Sequence, residues 1–588
     1  MKQFQIVYKS DEAFCRELEA INQWRSTNPS YTTIFRIYFA DKDLTHVRHI
    51  CDVLDEKMPD ALYVGCATNA NIVEGALSEA KITMTCTVFE YETTQVKMLQ
   101  FPFSEENAKE VVWELKKYCD ANPWVNAIEM HATILGMLMR EFCNKMSTLD
   151  SNIQVFGGGA CNTNPNDIIT TVFSKGNDFS SQGIVFLLFG GPDFHVHSTF
   201  VSGWRPLKRK FKVTKAKGVI LYELEDEPAF NIYQRFLNIE QSDNLVSNTL
   251  EFPLLMDYKG VGVLRVPIVV GEENSLILTA EVEEGADVRL AYGDPEIILR
   301  NILRDGQAIA NFQPEVIQVF SCTSRRTFWG DDNISNETLP FNRVASTSGF
   351  YTGGEFVRTN GIVHHFNVTL VFAAMREGEP QSNEIVNIYD AKMDDAGSER
   401  IALVRRFISF IDASTVEFEE VNKKLAIASI TDGLTKLYNR TEIEERIRST
   451  LDEKELSNNL SLIMLDIDDF KRVNDIYGHK EGDRVIIALA DTLRKVTQGL
   501  DDVHLGRWGG EEFMILLAKS NIEEAMQLAE KIRAEFAAIS YEAAGCQTVS
   551  VGVVQAKGGE DADSLYVRVD QALYAAKAKG KNQVVKLD

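Results

Sequence analysis

Leu462-Ile463-Met464-Leu465-Asp466-Ile467-Asp468-Asp469-Phe470, with Arg507-Trp508-Gly509-Gly510-Glu511-Glu512-Phe513 further on, decides how this chain is read. The first stretch is a fully apolar strand that runs straight into carboxylates. Charges at the end of a buried strand are costly unless something pairs with them. A divalent cation such as Mg²⁺ is the natural partner, because it takes hard oxygen ligands and shares them with substrate phosphates. Asp466 and Asp468 project to the same side of the strand, and either share a metal or divide roles. The second stretch reads as a hairpin. Its Gly-Gly turn lets backbone approach a ligand, and two carboxylates come directly after it, then the apolar strand 513–517. If the two acidic ends meet, they make a metal site for phosphoryl chemistry. Neither stretch is specific alone, and the chain carries a decoy in Gly353-Gly354-Glu355-Phe356. That one has no acidic strand end before it at comparable spacing, and reads as a surface turn.

Outward from this pair the same kind of signal recurs: Asp432-Gly433-Leu434-Thr435-Lys436-Leu437-Tyr438-Asn439-Arg440 before it, Asn474-Asp475, Gly478-His479 and Gly482-Asp483 within it, and Ser550-Val551-Gly552, Asp570-Gln571-Ala572-Leu573-Tyr574-Ala575-Ala576-Lys577 and Gly580-Lys581-Asn582 after it. Taken together, residues 429–588 resemble the GGDEF family of diguanylate cyclases in its Gly-Gly-Glu-Glu-Phe variant. The resemblance implies an α+β palm-like domain with a central, mostly antiparallel sheet, and the making of cyclic di-GMP and two pyrophosphates from two GTP. It implies Mg²⁺ (or Mn²⁺) held by Asp466, the Ile467 carbonyl and Glu511, with Glu512 close by. Glu511 is the family's proposed general base, and Lys471 would stabilise charge building on the phosphates. Asn474 and Asp483 would read the guanine edge beside His479, and Lys577 and Lys581 would hold phosphates. Lys581 stands where the family often has Arg, which keeps the charge and loses the bidentate fork. A carboxylate at Asp483 accepts from guanine N–H groups that adenine lacks, so GTP is expected over ATP. The family's product-inhibition site, an Arg-x-x-Asp before the hairpin, is replaced by Leu500 and Val503, so no inhibitory product site is expected.

Between residues 30 and 240, short apolar runs break into small residues, at Gly65-Cys66-Ala67-Thr68 and Gly157-Gly158-Gly159-Ala160, with helices expected near 106–117 and 125–142. Strands alternating with helices make an α/β layer. Residues 250–375 carry closely spaced short strands and read as a β-rich second half. Tyr63-Val64-Gly65-Cys66-Ala67-Thr68, Gly203-Trp204-Arg205-Pro206, Phe320-Ser321-Cys322 with Arg325, Gly349-Phe350-Tyr351 with Gly354-Glu355, and His365-Phe366-Asn367 resemble the FIST sensory family. Its N-terminal half is expected at 30–240 and its C-terminal half at 241–385. The resemblance implies a small-molecule ligand, an amino acid being the usual suggestion. Arg205 and Arg325 are candidates to hold a ligand carboxylate bidentately, against the plainer reading of solvated surface arginines. Gly157-Gly158-Gly159 lacks the Gly-Lys-Ser/Thr of a P-loop and reads as a tight turn.

After a polar, acidic stretch at 376–398, Ile401, Val404, Ile408, Ile411, Thr415, Phe418, Asn422 and Leu425 alternate at spacings of three and four. That heptad seam predicts a coiled-coil linker over 399–428. Asn422 at an a position fits a parallel homodimer, the alternative being a helix packed on its own domain. The whole is 588 residues with 45% hydrophobic and 25% charged residues, which is ordinary for folded protein and too long for one core. A formal charge of −25 with no basic stripe argues against nucleic acid as a partner. No apolar run is long enough to span a membrane, no signal-peptide region opens the chain, and nine cysteines form no Cys-x-x-Cys pair. A cytoplasmic location and no membrane partner are therefore expected. A catalytically dead, nucleotide-reporting GGDEF domain would show a spoiled acidic turn or a retained inhibitory site, and this chain shows neither.

Overall fold

The structure is a computed structural model and describes residues 1–164, 167–242, 245–380, 385–388, 398–452 and 459–587. It divides into two compact units, Met1–Ala413 and Ser414–Asp588. The helix Ser398–Ile430 carries the boundary between them. Most of the expected acidic linker, 381–384 and 389–397, lies outside the described residues, as do the side chains of Ile401 and Val404. No helix among the described residues is long and apolar enough to cross a membrane.

The first unit is a threefold repeat. Each repeat runs strand, helix, strand, helix, strand, hairpin, strand. The first uses Lys2–Val7, Asp11–Thr27, Thr32–Phe39, Thr45–Lys57, Leu62–Ala67 and Ile82–Phe89. The second uses Gln95–Pro102, Ala108–Ala121, Val125–Ala132, Arg140–Met146, Gln154–Gly159 and Gly183–Gly190. The third uses Phe194–Val201, Pro295–Phe312, Val316–Cys322, Thr323–Trp329, Ser346–Thr352 and Leu370–Glu377. In each, the two middle strands pair in parallel and the last strand pairs antiparallel between the first two.

The hairpin after each third strand does not return to its own sheet. Ala70–Val73 of the first repeat joins the third sheet, Val172–Ser174 of the second joins the first, and Glu355–Thr359 of the third joins the second. The exchange is cyclic. The third repeat is interrupted between its first strand and first helix by a further sheet whose strands run from Trp204–Pro206 to Asp287–Gly293.

Register identifies equivalent residues. Gly65, Gly157 and Gly349 face Ile37, Met130 and Val319, and one position back stand Arg36, Glu129 and Gln318. A Cβ on Gly157 or Gly349 would lie 2.0 or 1.9 Å from the facing carbonyl oxygen, so the close approach of the two parallel strands excludes a side chain. The inner faces share one apolar core in which Ile34, Ala127 and Val316 are equivalents. The outer faces form separate cores under each repeat's helices, with Phe35 and Ile37, Ile128 and Met130, and Ile317 and Val319. At the centre, Arg36 Nη2 donates to Glu129 Oε2 at 2.7 Å and Tyr38 donates to Gln318 at 3.4 Å, all fully buried. Burial pushes the Glu129 carboxyl up, and Arg36 and His131 more than reverse it, to about 2.

Several expectations are corrected. The segment 125–142 is a buried strand, Val125–Ala132, followed by a helix, Arg140–Met146, because its apolar residues pack on both sides of a sheet. The sensor region is not an α/β half followed by a β-rich half, since strands 316–377 complete the third α/β repeat and the β-rich part is the interruption. Residues 2–27, outside the expected domain, supply the first strand and helix. Gly157-Gly158-Gly159 ends a strand rather than forming a tight turn. Glu355 of the decoy motif is fully buried, because that turn is a crossing between repeats and not a surface feature.

In the second unit a five-stranded sheet has the order Val503–Gly509, Glu512–Leu517, Ser461–Ile467, Val549–Gln555, Val584–Leu587, antiparallel except for the last pair. One face packs on the helices Phe470–Tyr477, His479–Thr497 and Ile522–Ala537, the other on Arg440–Asp452 and Ala562–Ala578. Both faces being covered, Ser461–Ile467 is buried along its whole length, Asp466 included, and is apolar from Leu462 to Leu465.

Candidate active site

The strand Ser461–Ile467 delivers its acidic end beside the Gly-Gly hairpin. Asp466 is in register with Glu512, and the Ile467 amide donates to the Glu511 carbonyl at 3.4 Å. Gly510 sits at φ 45°, the left-handed region that glycine adopts at no steric cost. The sheet thus brings together Asp466, Ile467, Glu511 and Glu512. Burial pushes the Asp466 carboxyl up, Lys577 pulls it down, and the Glu511 and Asp468 charges push it up again. Glu512 is likewise raised, by burial first and by Asp466 next. Lys577, on the helix Ala562–Ala578, places its ammonium 2.8 Å from Asp466 Oδ2. A cation is therefore already drawn to the carboxylate that the metal reading requires. Among the described residues no group of three or more His, Cys, Asp or Glu is gathered as a ready-made metal site. Asp466, the Ile467 carbonyl and Glu511 fit a divalent ion only as a partial shell completed by substrate phosphates.

Asp468 has a different task. Its carboxylate accepts from Thr548 and Ser550 hydroxyls at 2.6 Å each and from the Asn582 amide at 3.0 Å. It ties the strand end to its neighbour and to the C-terminal turn, so the two aspartates divide roles. In that turn Lys581 reaches Asp469 at 2.5 Å.

Gly478 (φ 82°) closes the helix Phe470–Tyr477, its amide donating to the Asn474 carbonyl at 2.9 Å, and starts the next helix at His479. Gly482 makes room for Asn474: a Cβ there would stand 2.0 Å from Asn474 Oδ1. Lys471, His479 and Asp483 are exposed in this segment, and Asn474 is half-buried.

The sequence carried Arg507 and Asp432 without giving them work. Arg507 donates to the Gly510 carbonyl at 2.9 and 2.7 Å and to both oxygens of Asp432 at 3.2 Å. Asp432 also caps Thr435, through its amide and its hydroxyl, at 2.7 Å each. Asn439 donates to the Ser429 carbonyl at 2.6 Å, in the last turn of the long helix. One guanidinium thus links the Gly509-Gly510 turn to the segment that receives that helix, a signal visible only once the hairpin is folded.

Leu500 is half exposed, and with Val503, Leu517, Leu528, Lys519 and Lys531 it lines a groove of about 480 Å³. In the first unit, Arg205 is exposed. Arg325 is fully buried and paired twice with Glu337, while its Nη1 donates to the Ser202 and Val368 carbonyls at 2.8 and 2.9 Å. A ligand carboxylate would have to displace Glu337, so Arg325 is a structural clamp. This corrects the ligand role expected for it.

The GGDEF diguanylate cyclase family model matches residues 429–583, the FIST N domain 35–227 and the FIST C domain 229–358. Diguanylate cyclase DgcM of Escherichia coli (strain K12) is 39% identical over 170 residues, 29% of this chain and 41% of that protein. Diguanylate cyclase DgcP of Pseudomonas aeruginosa is 38% identical over 160 residues, 26% of this chain and 24% of that protein. The solved active GGEEF domain of a diguanylate cyclase from Vibrio cholerae is 38% identical, covering 26% of this chain and 97% of that one, with a TM-score of 0.24. This chain thus spans less than half of either curated relative. It is a chain of FIST N, FIST C and GGDEF domains, in that order.

Proposed function

We propose that this protein is a diguanylate cyclase whose output is controlled by a small molecule bound at its FIST region. The observation that carries the reading is the meeting of Asp466 and the Glu511-Glu512 turn at adjoining strand ends, with the Lys577 ammonium drawn to them. A divalent ion held by Asp466, the Ile467 carbonyl and Glu511 would neutralise triphosphate charge. Lys577, 2.8 Å from Asp466, would turn to a phosphate oxygen when GTP binds, and Lys471 and Lys581 would supply further positive charge. Glu511 takes the proton from the ribose 3′-hydroxyl. Asn474 and Asp483 hold the guanine edge, with His479 beside them. Each domain holds one GTP, so two must face each other for each hydroxyl to reach the other's α-phosphate.

The long helix supports a second copy as partner. Ile411, Phe418 and Leu425, the same heptad position in three successive heptads, are 53, 70 and 61% exposed. Ile408, expected in the same seam, is buried within the chain, so the seam begins after it.

Incubation of the full chain with GTP and Mg²⁺, with nucleotides resolved by mass spectrometry, tests the reading. Cyclic di-GMP and pyrophosphate are expected, and Asp466→Asn or Glu511→Gln should abolish them without unfolding the protein. Intact GTP after prolonged incubation would refute the reading, and near-wild-type turnover in either variant would refute the site.

A further inference from the structure

We propose that Asp468 is a positioning residue for the substrate triphosphate. It pins the turn Gly580-Lys581-Asn582 to the acidic strand end, so that Lys581, and Lys577 one helical turn before it, can leave their resting partners for phosphate while the turn stays in place. The proposal rests on the cyclase reading and gives Asp468 a part in it.

Three carboxylates at and just after the end of the strand Ser461–Ile467 are met one by one from the C-terminal segment. Lys577 reaches Asp466 Oδ2 at 2.8 Å, the Asn582 amide donates to Asp468 Oδ2 at 3.0 Å, and Lys581 reaches Asp469 Oδ1 at 2.5 Å. The contacts differ in kind. Those at Asp466 and Asp469 are ion pairs on flexible lysine stems. The one at Asp468 comes from main chain, which the swing of a side chain cannot move. The Lys581–Asp469 pair is open to water, its side chains 41 and 63% exposed, and holds the turn weakly. Asp468 is buried, and both its oxygens are occupied. Oδ1 accepts from the Ser550 hydroxyl and Oδ2 from the Thr548 hydroxyl, at 2.6 Å each, while the Asp468 amide donates to the Thr548 carbonyl at 2.9 Å. Hydrogen bonds to an ionised carboxylate are among the strong ones.

The turn needs such a hold. Gly580, Lys581 and Asn582 follow one another at φ 115°, 63° and 46°. Glycine takes a positive φ freely, whereas lysine and asparagine do so at a cost, and two in succession persist only where the surroundings impose them. Arg533 Nη1 donates to Asn582 Oδ1 at 2.7 Å, and the Lys581 amide to the Ala576 carbonyl at 3.2 Å. Those two contacts tie the turn to helices. The Asp468 contact ties it to the strand end that carries Asp466 and the Ile467 carbonyl.

A triphosphate competes with Asp466 and Asp469 for the two ammonium groups, and both ion pairs can exchange. The Asp468 link uses neither lysine, so it remains closed and keeps both charges facing the site. Without it the strained turn relaxes, and the phosphates are held less well in the ground state and the transition state alike. That loss falls on binding rather than on turnover.

Steady-state kinetics on the full chain with Mg²⁺, together with equilibrium binding of 3′-deoxy-GTP, which has no 3′-hydroxyl to attack with, test the role. Asp468→Asn keeps the shape but puts an amide nitrogen, which cannot accept, in place of one oxygen. It should raise KM for GTP and Kd for 3′-deoxy-GTP tenfold or more. The same variant should hold kcat within threefold, and leave unchanged the Mn²⁺ concentration giving half-maximal rate at saturating GTP. Because Asp468 acts through the turn, adding Lys581→Met should raise Kd far less than the product of the two single effects. Ser550→Ala, which removes one donor to Asp468, should show the same split in smaller measure, and carries the test if Asp468→Asn does not fold. A fall in kcat at unchanged KM would overturn the proposal, as would fully independent effects of Asp468→Asn and Lys581→Met. A raised Mn²⁺ requirement would make Asp468 a metal ligand and overturn it too, and so would binding undiminished in both Asp468→Asn and Ser550→Ala. Wild-type protein that binds 3′-deoxy-GTP yet forms no cyclic di-GMP from GTP would sink the cyclase reading alone, and wild-type protein that binds no 3′-deoxy-GTP would sink both.

Discussion

Gly482→Ala separates stability from substrate reading within one helical turn. An alanine Cβ at 482 would stand 2.0 Å from Asn474 Oδ1 and 3.1 Å from the Phe470 ring. Ordinary contact needs at least about 3 Å, so the Asn474 amide must retreat by about 1 Å, a displacement that can cost a hundredfold at a reacting site. Position 482 lies in the first turn of His479–Thr497, where alanine is favoured over glycine by up to about 1 kcal/mol. That gain offsets part of the cost of moving a flexible side chain, so the melting temperature should barely change. Losing one hydrogen bond to guanine costs about 1 kcal/mol, and stranding its partner about as much again, so kcat/KM for GTP should fall about thirtyfold. Steady-state kinetics against GTP, with thermal unfolding alongside, measures both. A double-mutant cycle with Asn474→Ala isolates the contact, since Gly482→Ala should be nearly silent once the amide is gone. A kcat/KM within twofold of wild type, or full additivity of the two substitutions, would refute the guanine-reading geometry.

With Leu500 and Val503 at the inhibitory positions, initial rates should hardly respond to added cyclic di-GMP. Non-competitive inhibition at low product would reveal a second product site. Burial raises the Glu355 carboxyl to about 8, so the fold binds that proton more tightly than the unfolded chain. The stability it contributes is fully present below the ordinary carboxylate pKa and is lost progressively as pH rises from there to about 8. Glu355→Gln should flatten the fall in thermal midpoint between pH 5 and pH 8, and an unchanged slope in that variant would assign it to another group. One residue inserted between Ala413 and Ser414 turns the cyclase domain by roughly 100° about the helix axis, and seven nearly restore the phase. Cyclic di-GMP output should fall with one and recover with seven, whereas output indifferent to insertion length would make the helix a passive tether. Asn422→Leu should tighten the dimer and blunt its regulation, read by sedimentation together with activity, and a looser dimer would remove Asn422 from the seam.

The second unit was largely legible because its chemistry is contiguous. Leu462-Ile463-Met464-Leu465 running into Asp466 announces both a strand covered on two faces and the buried carboxylate at its end. The first unit was not, for two physical reasons. Its third repeat is broken after Val201 and resumes only at Pro295, so no period shows in the sequence. Its equivalent central positions hold Arg36, Glu129 and Gln318, which share a location and a hydrogen-bonding task but no residue type. Arg325 looked available to a ligand because Glu337 neutralises it from a 3₁₀ turn that no helical spacing links to it. Arg507 stood in full view, yet its role depends on the Gly510 carbonyl turning back towards it.

The cyclic exchange of hairpins has a consequence for how this chain can be cut. Residues 35–227, taken alone, would forfeit Glu355–Thr359 from the second sheet, and with it the Arg358 guanidinium that caps the Met146 and Ile153 carbonyls at 2.9 Å. The first sheet of such a fragment would also lack Lys2–Val7. Each third of the ring is locked shut by its neighbour, in the manner of a clasp with three links. Proteolysis at one crossing should therefore loosen all three sheets together, and a ligand that braces one link braces the ring.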